Sequence, residues 1–165
     1  QVLATGYRVA TGKLLINGKT YLFGTDGVLN TTPGWVTTPE GKYYLQADGS
    51  LATGTVEIEG KLYGFDANGL KTESGWYGWG SFYYWANSAD NGALARDGVA
   101  LVADNRYAVF GLDGHQITDG FYTTTAGKTY YQVLATGYRV ATGKLLINGK
   151  TYLFGTDGVL NTTPG

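Results

Sequence analysis

Between Gly75 and Trp85 the chain carries Trp76, Tyr77, Trp79, Phe82, Tyr83, Tyr84 and Trp85, then runs into the polar segment Ala86-Asn87-Ser88-Ala89-Asp90-Asn91-Gly92. Flat aromatic rings cover the apolar face of a pyranose, while Asn, Asp and Ser side chains bond its hydroxyls, so these residue types side by side can hold a sugar. Successive side chains of a strand point to opposite faces, which sends about half of so dense a set of rings outward. The same rings can instead close a wider layer of core, as buried aromatics more often do, and the sequence leaves both readings open.

Bond-making chemistry is far thinner. His115, the single histidine, adjoins the turn Asp113-Gly114 and has no Cys or second His with which to share a metal. It reads as a solvated turn residue. Most of the 13 carboxylates lie in turns, where Asp bonds the local backbone. Asp66-Ala67-Asn68-Gly69 looks like the start of a calcium loop but lacks the distant acidic ligand, and turn chemistry accounts for it. The expectation is a chain with no catalytic residue, no metal site and no cofactor, and hence not an enzyme. A net charge of −1 offers no electrostatic footprint for nucleic acid. No run approaches the roughly 18 apolar residues of a membrane span, and no signal peptide opens the chain. With no Cys, stability must come from packing alone.

The elements that must position these side chains follow from the glycines. There are 27 in 165 residues, and Gly12, Gly34, Gly54, Gly75, Gly98, Gly120 and Gly143 open units at steps of 22, 20, 21, 23, 22 and 23 residues. Ile16-Asn17-Gly18-Lys19-Thr20-Tyr21-Leu22-Phe23 shows the plan: two apolar runs around Asn-Gly, the dipeptide suited to a type I′ hairpin. That turn pairs Ile16 with Lys19 and Leu14 with Tyr21, placing Leu14, Ile16, Tyr21 and Phe23 on one face. Val56, Ile58, Tyr63 and Phe65 repeat the pattern around Glu59-Gly60, and Val36, Thr38, Tyr43 and Leu45 do so around Glu40-Gly41. A second set of turns, Asp26-Gly27, Asp48-Gly49, Asn68-Gly69, Asp113-Gly114 and Asp157-Gly158, passes the chain to the next hairpin. The hairpin template breaks in the Trp-rich unit, and short helical turns are expected only between Ala86 and Asp97.

A longer repeat lies over this one. Gln1 to Gly34 recurs without change as Gln132 to Gly165, an offset of 131 residues that spans six units. The predicted fold is all-β: a β-solenoid of stacked hairpins of about 22 residues each, six to a 131-residue block, with residues 1–165 forming one continuous array that starts and ends in mid-array.

The segments from Thr11-Gly12 to Leu29 and from Thr53-Gly54 to Leu70 resemble the repeats of bacterial cell-wall-binding modules. That family includes choline-binding modules, the glucan-binding repeats of glucansucrases and the repetitive domains of large clostridial toxins. Ile16 to Gly27 is most similar to the toxin and glucan-binding consensus, and Gly75 to Gly120, with its later Asn105-Arg106-Tyr107, is similar to the long repeats that interrupt short ones in the toxins. The resemblance implies an exported, Gram-positive, non-catalytic module, extracellular or on the cell surface, that binds carbohydrate or cell-wall polymer. In choline-binding members a Trp after the opening Gly and a Trp-Tyr-Tyr strand cage a quaternary ammonium. Only Gly34-Trp35 and Gly75-Trp76 keep the first element, Gly120-Phe121 matches in part, and Thr20, Leu62 or Thr129 replaces the second Trp. The residues expected to carry a ligand are therefore Trp35 with Tyr43 and Tyr44, and Trp76 with Trp79, Tyr83, Tyr84 and Trp85. The alternative function is structural: a stalk or fibre of identical blocks in a surface adhesin, with self-association or end-to-end stacking.

Overall fold

A computed structural model describes residues 11–103, 106–133 and 139–162. Residues 1–10, 104–105 with Asn105, 134–138 and 163–165 lie outside them, and of Arg139 only the backbone is described. The seven glycines that open the units are each the first residue of a strand: β1 (Gly12–Ile16), β3 (Gly34–Thr38), β5 (Gly54–Ile58), β7 (Gly75–Trp79), β10 (Gly98–Val102), β12 (Gly120–Thr123) and β15 (Gly143–Ile147). Each pairs antiparallel with the strand that follows it, respectively β2 (Lys19–Phe23), β4 (Gly41–Leu45), β6 (Lys61–Phe65), β8 (Phe82–Asn87), β11 (Arg106–Phe110), β13 (Thr129–Val133) and β16 (Lys150–Phe154). Two short strands, β9 (Ala93–Leu94) and β14 (Arg139–Val140), add to β8 and β13. The insertion after β8 forms a 3-10 turn, Ser88–Asp90. The architecture is all-β and made of successive hairpins, with no sheet joining one hairpin to the next among the described residues.

Local chemistry explains the turns. Asn17 and Gly18 adopt φ of 52° and 81°, the left-handed pair of a type I′ loop, and Ile16 pairs with Lys19 and Leu14 with Tyr21. The identical segment does the same at its second location, where Asn148 and Gly149 have φ of 50° and 83°. In the second hairpin Thr38 pairs with Gly41, so the loop is Pro39-Glu40 rather than Glu40-Gly41, because Pro39 cannot donate to the ladder. The Trp-rich hairpin also corrects the expectation from sequence: Trp79 pairs with Phe82 in unbroken register around Gly80-Ser81, and the irregularity is an insertion that follows β8. The Asp-Gly turns are held by their own carboxylates, with Asp26, Asp48, Asp113 and Asp157 each accepting the backbone N–H two residues on at 2.9–3.0 Å.

The chain forms two compact units, residues 1–72 and 73–165. In each, a hairpin is tied to its predecessor by one backbone bond donated just after the Asp-Gly or Asn-Gly turn. Leu51 N–H bonds Thr20 O at 2.8 Å and Lys71 N–H bonds Lys42 O at 2.9 Å in the first unit. Gln116 N–H bonds Tyr83 O at 2.9 Å and Leu160 N–H bonds Thr129 O at 2.7 Å in the second. Apolar side chains fill the space behind these ties. In the first unit Tyr43, Leu45 and Leu51 pack with Leu22, Val36 and Leu70, and Ala52, Ile58 and Phe65 with Tyr44, Val56 and Tyr63. In the second, Val102, Ala108 and Phe110 pack with Trp85, and Ala141, Ile147 and Phe154 with Tyr131 and Tyr152. Where β11 meets β13 the tie comes from a side chain, the fully buried Gln132 accepting Val109 N–H at 2.8 Å.

Asp97, the residue before Gly98, fastens two hairpins of the second unit. Its carboxylate accepts the Thr125 hydroxyl at 2.6 Å and the Tyr122 hydroxyl at 2.7 Å. The Thr125 hydroxyl foremost, then that of Tyr122, holds the Asp97 carboxyl below the usual carboxylate range, and burial together with the Asp97 bond pushes Tyr122 up to about 12. A carboxyl with a depressed folded-state pKa contributes stability that is present above its unfolded value, about 3.9, and lost as pH falls through the folded one. The Tm difference between wild type and Asp97→Asn is expected to be full at about pH 6 and to shrink toward about pH 2; a pH-independent difference would remove this role. Leu45, with no exposed surface, is a simpler probe of packing: Leu45→Ala is expected to cost about 2–5 kcal/mol in urea unfolding.

Candidate functional site

The residue after each opening glycine faces a fixed cross-strand partner, and these pairs alternate in character along the chain. Trp35 pairs with Tyr44, Trp76 with Trp85 and Phe121 with Tyr131. The hairpins between them hold Lys13 with Leu22, Thr55 with Gly64, Val99 with Val109 and Lys144 with Leu153 at the same two positions. Those hairpins instead end their second strand in a buried Phe, at Phe23, Phe65, Phe110 and Phe154. The structural period is thus a pair of hairpins, one supplying an outward aromatic pair and the next a closing ring.

Three aromatic corners result. In the first unit Trp35 meets Tyr44 at 5.2 Å and 73°, Tyr63 of the following hairpin at 5.1 Å and 82°, and Phe65 at 5.9 Å. In the second unit Trp76 meets Trp85 at 5.2 Å and 80° and Phe110 of the following hairpin at 6.2 Å. Phe121 meets Tyr131 at 4.7 Å and Tyr152 of the following hairpin at 5.3 Å, both edge-on. Edge-to-face contact suits the ring quadrupoles and holds each ring at a set angle to its neighbours. Trp35, Trp76 and Phe121 are 38%, 40% and 44% exposed, so each corner keeps one ring partly open to solvent.

The corners are not identical. Where Tyr63 stands in the first, Ala108 stands in the second, which removes one ring. The residue after the closing turn also changes, from Lys71 to Gln116 to Leu160. Lys71 is 5% exposed, with its ammonium 5.0 Å from the Trp35 centroid and 5.4 Å from that of Tyr63.

The sequence-predicted residues divide between these corners and the interior. Trp35, Tyr44, Trp76 and Trp85 lie in corners. Tyr43 (1% exposed) and Tyr84 (4%) are in the core, because they sit one position out of phase with Tyr44 and Trp85. Tyr83 lies opposite Gly78, within about van der Waals reach of the Cβ that position lacks, and Trp79 stacks with Tyr77 at 7° between planes. Neither joins the Trp76 corner. Tyr63, Phe110, Phe121, Tyr131 and Tyr152 were not singled out from sequence, since each corner is completed by a neighbouring hairpin; Gly120-Phe121 was the available signal. His115 is no free turn residue: its ring stacks on Phe82 at 3.6 Å and 8°, with Nδ1 3.0 Å from Asp113 Oδ2. No group of three or more His, Asp or Glu placed to hold a metal occurs among the described residues.

No protein-family model matches the chain. Glucosyltransferase-I of Streptococcus downei is 30% identical over 158 residues, covering 96% of this chain but 9% of that protein. Glucosyltransferase-S of Streptococcus mutans is 30% identical over 179 residues, covering 90% of the chain and 12% of the relative, so the chain spans only a small part of either. Among solved structures, choline binding protein F of Streptococcus pneumoniae superposes with a TM-score of 0.64 at 26% identity, over 94% of this chain and 53% of that one. The repeats of the chain are thus similar to those of cell-wall-binding, choline-binding-type proteins. These repeats keep an aromatic residue after the opening glycine in every second hairpin, and the Trp35, Trp76 and Phe121 corners are where they do so. The perpendicular Trp76–Trp85 pair of the repeats is expected to give an exciton couplet in far-UV circular dichroism. Trp76→Ala and Trp85→Ala should each abolish it and Trp79→Ala leave it; its persistence in Trp76→Ala would disprove the pairing.

Proposed function

We propose that this array is a non-catalytic binding module, extracellular or at the cell surface, whose ligand is a carbohydrate or cell-wall polymer held at the aromatic corners. The observation that carries this reading is the recurrence of a partly exposed ring, braced by two or more others of which at least one stands edge-on, in every second hairpin. A lone exposed aromatic is ordinary surface; the same geometry built three times from different residues is a repeated binding element. The names of the matched proteins, glucosyltransferases and a choline-binding protein, support a glycan or cell-wall polymer as the ligand class. None of the described residues forms a helix long and apolar enough to cross a membrane. Shallow sites repeated along one array act together on a polymer, because binding at one raises the effective concentration at the next.

The structural alternative, a stalk of tandem blocks able to associate with its own kind, draws support from the duplicated hairpin. Gly24 N–H bonds Val28 O and Asn30 N–H bonds Leu22 O at 2.9 and 2.8 Å, and Gly155 to Val159 and Asn161 to Leu153 repeat both distances. A unit that folds alike in two neighbourhoods suits indefinite repetition. The two readings are compatible.

Titration with soluble glucans, teichoic acids and peptidoglycan fragments tests the binding reading. Tryptophan fluorescence is expected to respond to at least one of them, and Trp76→Ala is expected to weaken polymer binding by about threefold to tenfold, the worth of one aromatic contact. No response across the set from folded protein would refute it.

A further inference from the structure

We propose that the Trp35 corner is an ammonium site whose occupant is the chain's own Lys71. The position is one that elsewhere takes an apolar or neutral side chain. The bridge residue after the closing turn is Leu29, Leu51, Gln116 or Leu160 in four other hairpins, and the N–H of Leu51, Gln116 and Leu160 is committed to the preceding hairpin, as Lys71 N–H is to Lys42 O. Backbone placement is therefore fixed, and only the side chain has changed. A lysine buried to 5% exposure at a leucine position is costly unless its charge is compensated.

The surroundings supply compensation of a particular kind. The Trp35 and Tyr63 rings stand at 82° to one another, and the Lys71 ammonium lies over both, at 5.0 and 5.4 Å. A point over two perpendicular ring faces lies in the angle between them, where both quadrupoles attract a cation. Backbone and rings come from three elements, β3, β6 and the turn after β6, so the cage forms only when the two hairpins stack. The Trp76 and Phe121 corners carry the uncharged Gln116 and Leu160 at this position. The Trp35 corner is thus filled from within. If the corners serve a ligand as proposed above, this leaves Trp76 and Phe121 to do so, but the assignment of Lys71 does not depend on that reading.

The test uses the whole chain and NMR. In wild type, the Lys71 side-chain methylene protons are expected well upfield of those of the exposed lysines through the ring currents of Trp35 and Tyr63, and to return to ordinary positions in Trp35→Ala. Tetramethylammonium, as the probe, is expected to leave the Trp35 indole resonance unmoved in wild type and to shift it in Lys71→Ala, with affinity at least about tenfold higher. Lys71→Leu, which restores the side chain of Leu29, Leu51 and Leu160, should fold and stay unresponsive because the corner is filled. Ordinary methylene shifts in the folded wild type would overturn the proposal, as would equal binding of the probe at Trp35 in wild type and Lys71→Ala. Should Lys71→Ala fail to fold, the Lys71 methylene shifts in wild type, compared with those in Trp35→Ala, decide the matter alone.

Discussion

A two-stranded hairpin in water cannot bury enough surface to stand by itself, and this fold is the consequence of that limit. Each ladder satisfies its own backbone groups but leaves a face of Tyr, Phe and Leu side chains that only a neighbour can cover. The neighbour is delivered by a turn whose carboxylate bonds the backbone two residues on, so that the N–H directly after it is aimed at the preceding hairpin. One such hydrogen bond contributes only about 0.5–1.5 kcal/mol, and its larger effect is to set the register in which the rings meet. Tyr43, Leu45 and Leu51 become a core because Leu51 N–H has found Thr20 O.

Exposed corners arise from the same constraint. In the second hairpin cross-strand pairing gives one face toward the preceding hairpin, where Tyr43 meets Leu22, and one toward the following hairpin, where Tyr44 meets Ile58 and Phe65, and an aromatic residue directly after the opening glycine falls on the second, at its open edge. There it has a partner in its own hairpin and a closing ring from the next, which is why Trp35 and Trp76 are braced yet still partly in contact with solvent. Rigidity of this sort costs little, because the bracing rings are already in use as core. Tyr44 and Tyr63 pack against Ala52, Ile58 and Phe65 while they flank Trp35.

Much of the fold was legible in the sequence because turn chemistry is local. Asn17-Gly18 specified a loop, the loop specified the pairing of Leu14 with Tyr21, and the pairing specified a face. The glycine spacing gave unit boundaries for the same reason. The site was less legible, since its geometry depends on which hairpin lies next to which. Tyr43 and Tyr44 are adjacent in sequence, yet one is core and the other a corner wall, a distinction set by register. Tyr63 and Tyr152 enter corners opened by residues 28 and 31 positions earlier, Trp35 and Phe121. The stacking of His115 on Phe82 likewise joins segments far apart in the chain. Counting glycines gave a period of one hairpin, whereas aromatic pairs and buried Phe residues show that two hairpins make the unit.

That two-hairpin unit bears on how such a chain can lengthen. A block of six hairpins is an even number, so copying it whole preserves the phase of the alternation across the join. Tyr152, the copy of Tyr21, completes the corner that Phe121 begins. Duplication of an odd number of hairpins would set two outward pairs, or two closing hairpins, side by side and leave a corner without its last ring. Parity is thus a condition on inheritance: growth by pairs of hairpins adds finished corners, and growth by single ones breaks the series at every junction.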